Sequence, residues 1–153
     1  MEGIRKTGRG PGIRSPALAL WTARLLAGIV FLFNVICALY FVAYPARYAP
    51  AFEVSGLSGE LLIRGLGILF LMWNVPYVPL LLWPSRWPVL WVVILTQQII
   101  GIAGETWMWM TLPAGHPALW STGLRFILFD GAGLFALGAG LWLTERSRRY
   151  PSM

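Results

Sequence analysis

Four ionisable residues stand well inside the long apolar runs of this chain: Arg64, Glu105, Arg125 and Asp130. A charged side chain in hydrocarbon costs about 2.5–3.5 kcal/mol on insertion scales, so it turns toward a bundle interior and finds a partner there. Two arginines and two carboxylates can lock helices together, hold the head of an amphiphile, take up an anion or relay a proton. A rise of about 1.5 Å per residue puts Arg64 about 7 Å, Glu105 and Arg125 about 10 Å, and Asp130 about 18 Å from one membrane face. The expected arrangement is Arg64–Glu105–Arg125 at one level, with Asp130 below as the second counter-charge. Asn34, Asn74, Gln97 and Gln98 add amides near the middle of their runs. Gln98, Gly101 and Glu105 share one helix face. Glu60, four residues before Arg64, competes for that arginine through a local helix pair.

These eight residues (Arg64, Glu105, Arg125, Asp130, Asn34, Asn74, Gln97 and Gln98) form the candidate polar cluster. Buried ion pairs and interhelical amides can fix helix register without any ligand. Because the charges balance, the structural role is weighed ahead of a site for a headgroup, quinone, anion or proton.

No catalytic residue is assigned, since no GxSxG, HExxH or GxxxxGK string occurs. One cysteine, Cys37, excludes an intrachain disulfide or a CxxC pair, and is read as a small packing residue. One histidine, His116, excludes a multi-histidine metal or haem site, so no metal is expected. His116 itself reads as a polar turn residue rather than a base.

The elements that must position the cluster are helices. The chain is 58% hydrophobic and 12% charged, against about a quarter charged in soluble domains, which makes it an integral membrane protein. The fold class is all-α: a membrane four-helix bundle with antiparallel neighbours. The expected spans are about 17–44, 59–82, 89–112 and 118–144, each long enough for the roughly 20 apolar residues a crossing needs. Residues 1–16 and 145–153 read as basic tails. Pro76 and Pro79 should kink the second helix. The turn at Trp83–Pro88 should make the second and third helices neighbours. Eight basic residues, namely Arg5, Lys6, Arg9, Arg14, Arg86, Arg146, Arg148 and Arg149, face Arg47 alone across the membrane. That asymmetry places both termini in the cytoplasm and the protein in the cytoplasmic (plasma) membrane. The net charge of +6 then reports orientation and lipid contact rather than nucleic acid.

Tyr40, Tyr44, Tyr48, Trp107, Trp109 and Trp120 are read as one aromatic belt, and Trp21, Trp83, Trp87, Trp91 and Trp142 as the other. The segment from Pro45 to Ser58 is read as an interfacial connector in preference to a lid. Ala132, Ala136 and Gly140 suggest a small-residue packing face.

The stretch Arg24-Leu25-Leu26-Ala27-Gly28-Ile29-Val30-Phe31 resembles the opening helix of DoxX-like small membrane proteins, and the four-helix length and two short turns fit that group. The resemblance implies a fold more than an activity, although some such proteins are associated with quinone or redox complexes. The expected function is a non-catalytic membrane subunit of a larger complex, packed against other membrane subunits and lipids, and holding a lipid or quinone. The alternatives are an isomerase-like four-helix enzyme acting on an amphiphile, with Glu105 and Asp130 as its acids, and a small anion or proton transporter.

Overall fold

The computed structural model describes residues 16–149; the expected tails at 1–15 and 150–153 lie outside the described residues. Helix α1 spans Pro16–Ala43, and a short helix α2, Pro45–Tyr48, runs into a 3₁₀ turn at Ala49–Phe52. Next come α3 (Gly56–Trp73), α4 (Tyr77–Leu82), α5 (Pro88–Met110) and α6 (Pro117–Arg149). No strand occurs among the described residues. Four stretches, with α3 and α4 taken together, are long and apolar enough to cross a membrane. The last helix runs on through Arg149, so residues 145–149, expected as tail, are helical.

Proline chemistry explains the break between α3 and α4. Pro76 has no N–H to give to the preceding turn, so the helix ends at Trp73. The chain steps through tight turns, Val75 N–H to the Met72 carbonyl and Tyr77 N–H to that of Asn74, before α4 resumes. Asn74 Nδ2 donates to the Phe70 carbonyl at 2.7 Å and helps close the end of α3.

The helices are arranged as a horseshoe in the order α3, α1, α6, α5. Helix α1 packs along both α3 and α6, and α6 packs along α5. The second and third spans, expected as neighbours, meet chiefly where α4 touches α5 beside the Trp83–Trp87 turn. The break at Asn74–Pro76 aims α4 inward against α1 and α5, closing the horseshoe at the end that carries Pro16 and Arg149. At the opposite end α3 and α5 stand apart.

The closed end holds the larger core, in which Ala23, Ala27, Tyr77, Leu80, Trp91 and Ile94 are fully buried. Trp91, expected as an interface anchor, is instead the largest of these side chains; its Nε1 donates to the Pro84 carbonyl at 3.1 Å. Across from it the ring leaves room only for glycine, because a Cβ at Gly140 would stand 2.6 Å from Trp91 Cη2. The buried stripe of α6 is Gly133, Leu137, Gly140 and Thr144, one step from the expected face, and Ala132 is exposed. Arg24 ties α1 to the end of α4 by donating from Nη2 to the Leu82 carbonyl at 3.1 Å. Outward-facing side chains such as Leu25, Leu32, Leu128 and Phe135 are apolar and exposed, so the outer surface of the bundle is apolar.

Helix α3 approaches α1 through Gly67, where a Cβ would lie 2.7 Å from the Ala38 carbonyl oxygen and 2.9 Å from Phe41 Cβ. Gly65 has open space around it. Both gain the same helix propensity on replacement by alanine, so their difference isolates packing. Gly67→Ala should destabilise the bundle by about 1–3 kcal/mol through overpacking, and Gly65→Ala should not; thermal unfolding in detergent measures both.

Candidate functional site

Between the separated arms of α3 and α5 lies a cavity of about 590 Å³. Its size falls in the range of small-molecule sites, about 300–1,000 Å³. The floor is set by the α3 break and by the facing surfaces of α5 and α6, and carries Asn74, Gln98 and Asp130; Glu105 stands higher on the α5 wall. The remaining wall is largely aromatic, with Phe33, Phe41, Phe70, Trp73, Phe126 and Phe129. Phe33, Ile100 and Met108 line the cavity yet are more than half exposed, so it opens sideways on the bundle's apolar exterior.

The floor is built by small residues that let polar groups in. Gln98 is buried, and its Nε2 donates to the Asp130 backbone carbonyl at 3.0 Å. Gly133 makes that position possible, since a Cβ there would stand 2.9 Å from Gln98 Nε2. Asp130 Oδ2 lies 3.1 Å from where a Cβ of Gly101 would be. One turn along α5 from Gly101, the Glu105 carboxyl faces Asp130 within hydrogen-bonding range. A hydrogen bond between two carboxyls requires a proton on one of them. Asn74 Oδ1 and Glu105 Oε2 are buried atoms without a hydrogen-bond partner, and so is the hydroxyl of Tyr77 just beneath the floor.

Six of the eight expected residues therefore meet at one cavity: Asn34, Asn74, Gln98, Glu105, Arg125 and Asp130. Arg64 and Gln97 do not line it. The expected Arg64–Glu105–Arg125 level does not form. Arg64 is exposed, and among the described residues neither arginine makes an ion pair with Glu105 or Asp130, nor does Glu60 pair with Arg64. Arg125 Nη2 donates instead to Ser121 Oγ at 2.9 Å, one turn back toward the start of α6. Helix α3 faces Arg64 outward because its inner face is taken by Gly59, Ile63 and Gly67.

The roof is the segment expected as a plain connector. Tyr48, Ala51 and Phe52 line the cavity from above, and Tyr48 and Phe52 pack on Phe41 with ring centroids 5.1 and 5.8 Å away. Tyr48 is thus part of the site rather than a free interface anchor. Glu53 fastens this roof to α6. Its Oε1 accepts the N–H groups of Ala118 and Leu119 at 3.2 and 3.3 Å, and its Oε2 meets His116 Nδ1 at 2.6 Å. The carboxylate thereby satisfies donors at the start of α6, where the helix dipole favours a negative group. Thr122 Oγ1 adds a bond to the Ala51 carbonyl at 2.8 Å. Glu53 holds a left-handed φ of 54°, a conformation retained because these three anchors over-determine it. Residue spacing gave no sign of this strap: Glu53 and His116 are 63 positions apart, and only the folded loop end brings them together.

No group of three or more His, Cys, Asp or Glu able to hold a metal ion occurs among the described residues. No family model, curated protein or solved structure matches this chain.

The hydrogen bond from His116 and the α6 backbone N–H groups hold the Glu53 carboxyl below its ordinary pKa. A lowered folded pKa stabilises the native state above the unfolded value, and that gain is lost as pH falls through the folded one. Wild type should therefore unfold at higher temperature than Glu53→Gln at neutral pH, with the gap closing as acid titrates the carboxylate range. Because Arg125 is not buried against a counter-charge, Arg125→Leu should shift unfolding by no more than about 1 kcal/mol, read in the same thermal scans.

Proposed function

We propose that this chain is a non-catalytic membrane protein that holds an amphiphile entering sideways from the bilayer between α3 and α5. The observation that carries this reading is a cavity with an apolar, aromatic wall, a polar floor and a mouth on the apolar exterior. An amphiphile matches both parts at once: its apolar body meets the rings, and its head meets Asn74, Gln98, Glu105 and Asp130. A lipid or quinone-like molecule is the substrate class in view. The basic residues at Arg86 and toward both termini, against Arg47 opposite, support termini on the cytoplasmic side of a plasma membrane. The mouth and the roof would then face the outer leaflet. The broad apolar exterior supports packing against lipids and other membrane subunits, and the DoxX-like resemblance of Arg24–Phe31 enters only through the shared four-helix plan.

The facing carboxyls of Glu105 and Asp130 favour one second reading, an isomerase-like enzyme that exchanges a proton with the same amphiphile. Anion transport lacks such support, because Arg64 faces outward and Arg125 is engaged with Ser121.

Gly104 lines the cavity with open space where a Cβ would be, so a side chain can start there without displacing a neighbour. Mass spectrometry of the full chain after mild extraction should find a retained amphiphile in wild type and its loss in Gly104→Trp at unchanged thermal stability. Equal retention in both proteins, or none in either, would overturn the reading. Turnover of an amphiphile that Glu105→Gln abolishes without loss of retention would select the enzyme.

A further inference from the structure

We infer that the cavity selects an amphiphile with a protonated amine head. This rests on the cavity being an amphiphile site and specifies the chemistry of the head. Two carboxyl groups, Glu105 and Asp130, stand at the polar end of a cavity whose wall is largely aromatic, and Arg125 lines it too. Sharing one proton, the pair carries one negative charge, and a carboxylate inside a membrane bundle requires a counter-charge. Among the described residues no lysine, arginine or histidine ion-pairs with either group, and the nearest candidate, Arg125, is exposed and turned toward Ser121. An ammonium carried by the ligand supplies that charge.

Two independent features point the same way. Asn74 is only 3% exposed, lines the cavity, and presents an Oδ1 that no donor satisfies. Glu105 Oε2 is likewise a buried acceptor without a donor. Asn74 Oδ1 and Glu105 Oε2 can accept from an N–H head and not from an ionised phosphate, sulfate or carboxylate head. The aromatic wall adds to this preference, because ring faces attract organic ammonium groups. Quinone carbonyls, being acceptors only, are the poorer match to Asn74 Oδ1 and Glu105 Oε2.

The test uses the full chain in phosphatidylcholine nanodiscs, titrated with dodecylamine, dodecanol and dodecanoic acid, with protein-free discs subtracted. Binding is read by tryptophan fluorescence and by native mass spectrometry. Wild type should bind dodecylamine saturably and about tenfold or more tighter than dodecanol. Glu105→Gln with Asp130→Asn should erase that preference, and Gly104→Trp should abolish saturable binding of both. If the double variant does not fold, Glu105→Gln alone serves, since it keeps the size and shape of the side chain and removes its charge. Equal binding of amine and alcohol in wild type, a preference for the acid, or an amine preference that survives the carboxamide variants would overturn the amine assignment and leave an amphiphile site standing. Absence of saturable binding by all three probes would overturn both.

Discussion

The missing N–H of Pro76 governs the plan of the molecule. A continuous helix from Gly56 to Leu82 would lie against α1 along its whole length. The break at Asn74–Pro76 releases α4 to turn inward, where Tyr77 and Leu80 join Trp91 and Ile94 in the buried core. The horseshoe is thereby closed at one end and left open at the other. The cavity is the space that remains above that closure, and Asn74, at the break itself, becomes part of its floor. A backbone constraint in one residue thus sets the fold, the cavity and one of the cavity's polar groups.

Small residues decide how near the helices come, and polar residues exploit the room. Gly67 brings α3 onto α1, Gly140 admits the Trp91 ring, and Gly133 and Gly101 make space for the Gln98 amide and the Asp130 carboxyl. Four stretches are long and apolar enough to cross a membrane; for helices in hydrocarbon the gain from burying apolar surface is small, and close packing with interhelical hydrogen bonds takes its place. The polar floor is accordingly joined to the packing: the Gln98–Asp130 contact holds α5 to α6. At the open end, where α3 and α5 do not support each other, Glu53 and Thr122 tie the roof to α6 instead.

The architecture was legible because its causes are local. Four apolar runs with proline- and glycine-rich separators leave few solutions other than four helices, and Pro76 announces a break by its chemistry alone. Relative level along the bundle was legible too, since a constant rise per residue brings Glu105, Arg125 and Asp130 to the same cavity. Facing was not. Arg64 sits on the exposed side of α3, and Trp91 sits in the core although its type and position suit an interface. Each depends on how a helix is rotated about its own axis, which neighbouring helices set through contacts such as Gly67 on Ala38 and Gly140 on Trp91.

By itself the sequence determined that the chain is helical, apolar enough to span a membrane, broken at Pro76, and supplied with carboxyl and amide groups in mid-span. Those properties follow from composition, hydropathy and backbone chemistry, which act over a few turns. Only the tertiary structure decided that α3 and α5 part, that the carboxyls face each other rather than the arginines, and that Glu53 crosses to His116 and the start of α6. These depend on helix rotation and on contacts between residues far apart in the chain, where a rotation of a fraction of a turn exchanges an ion pair for an exposed arginine.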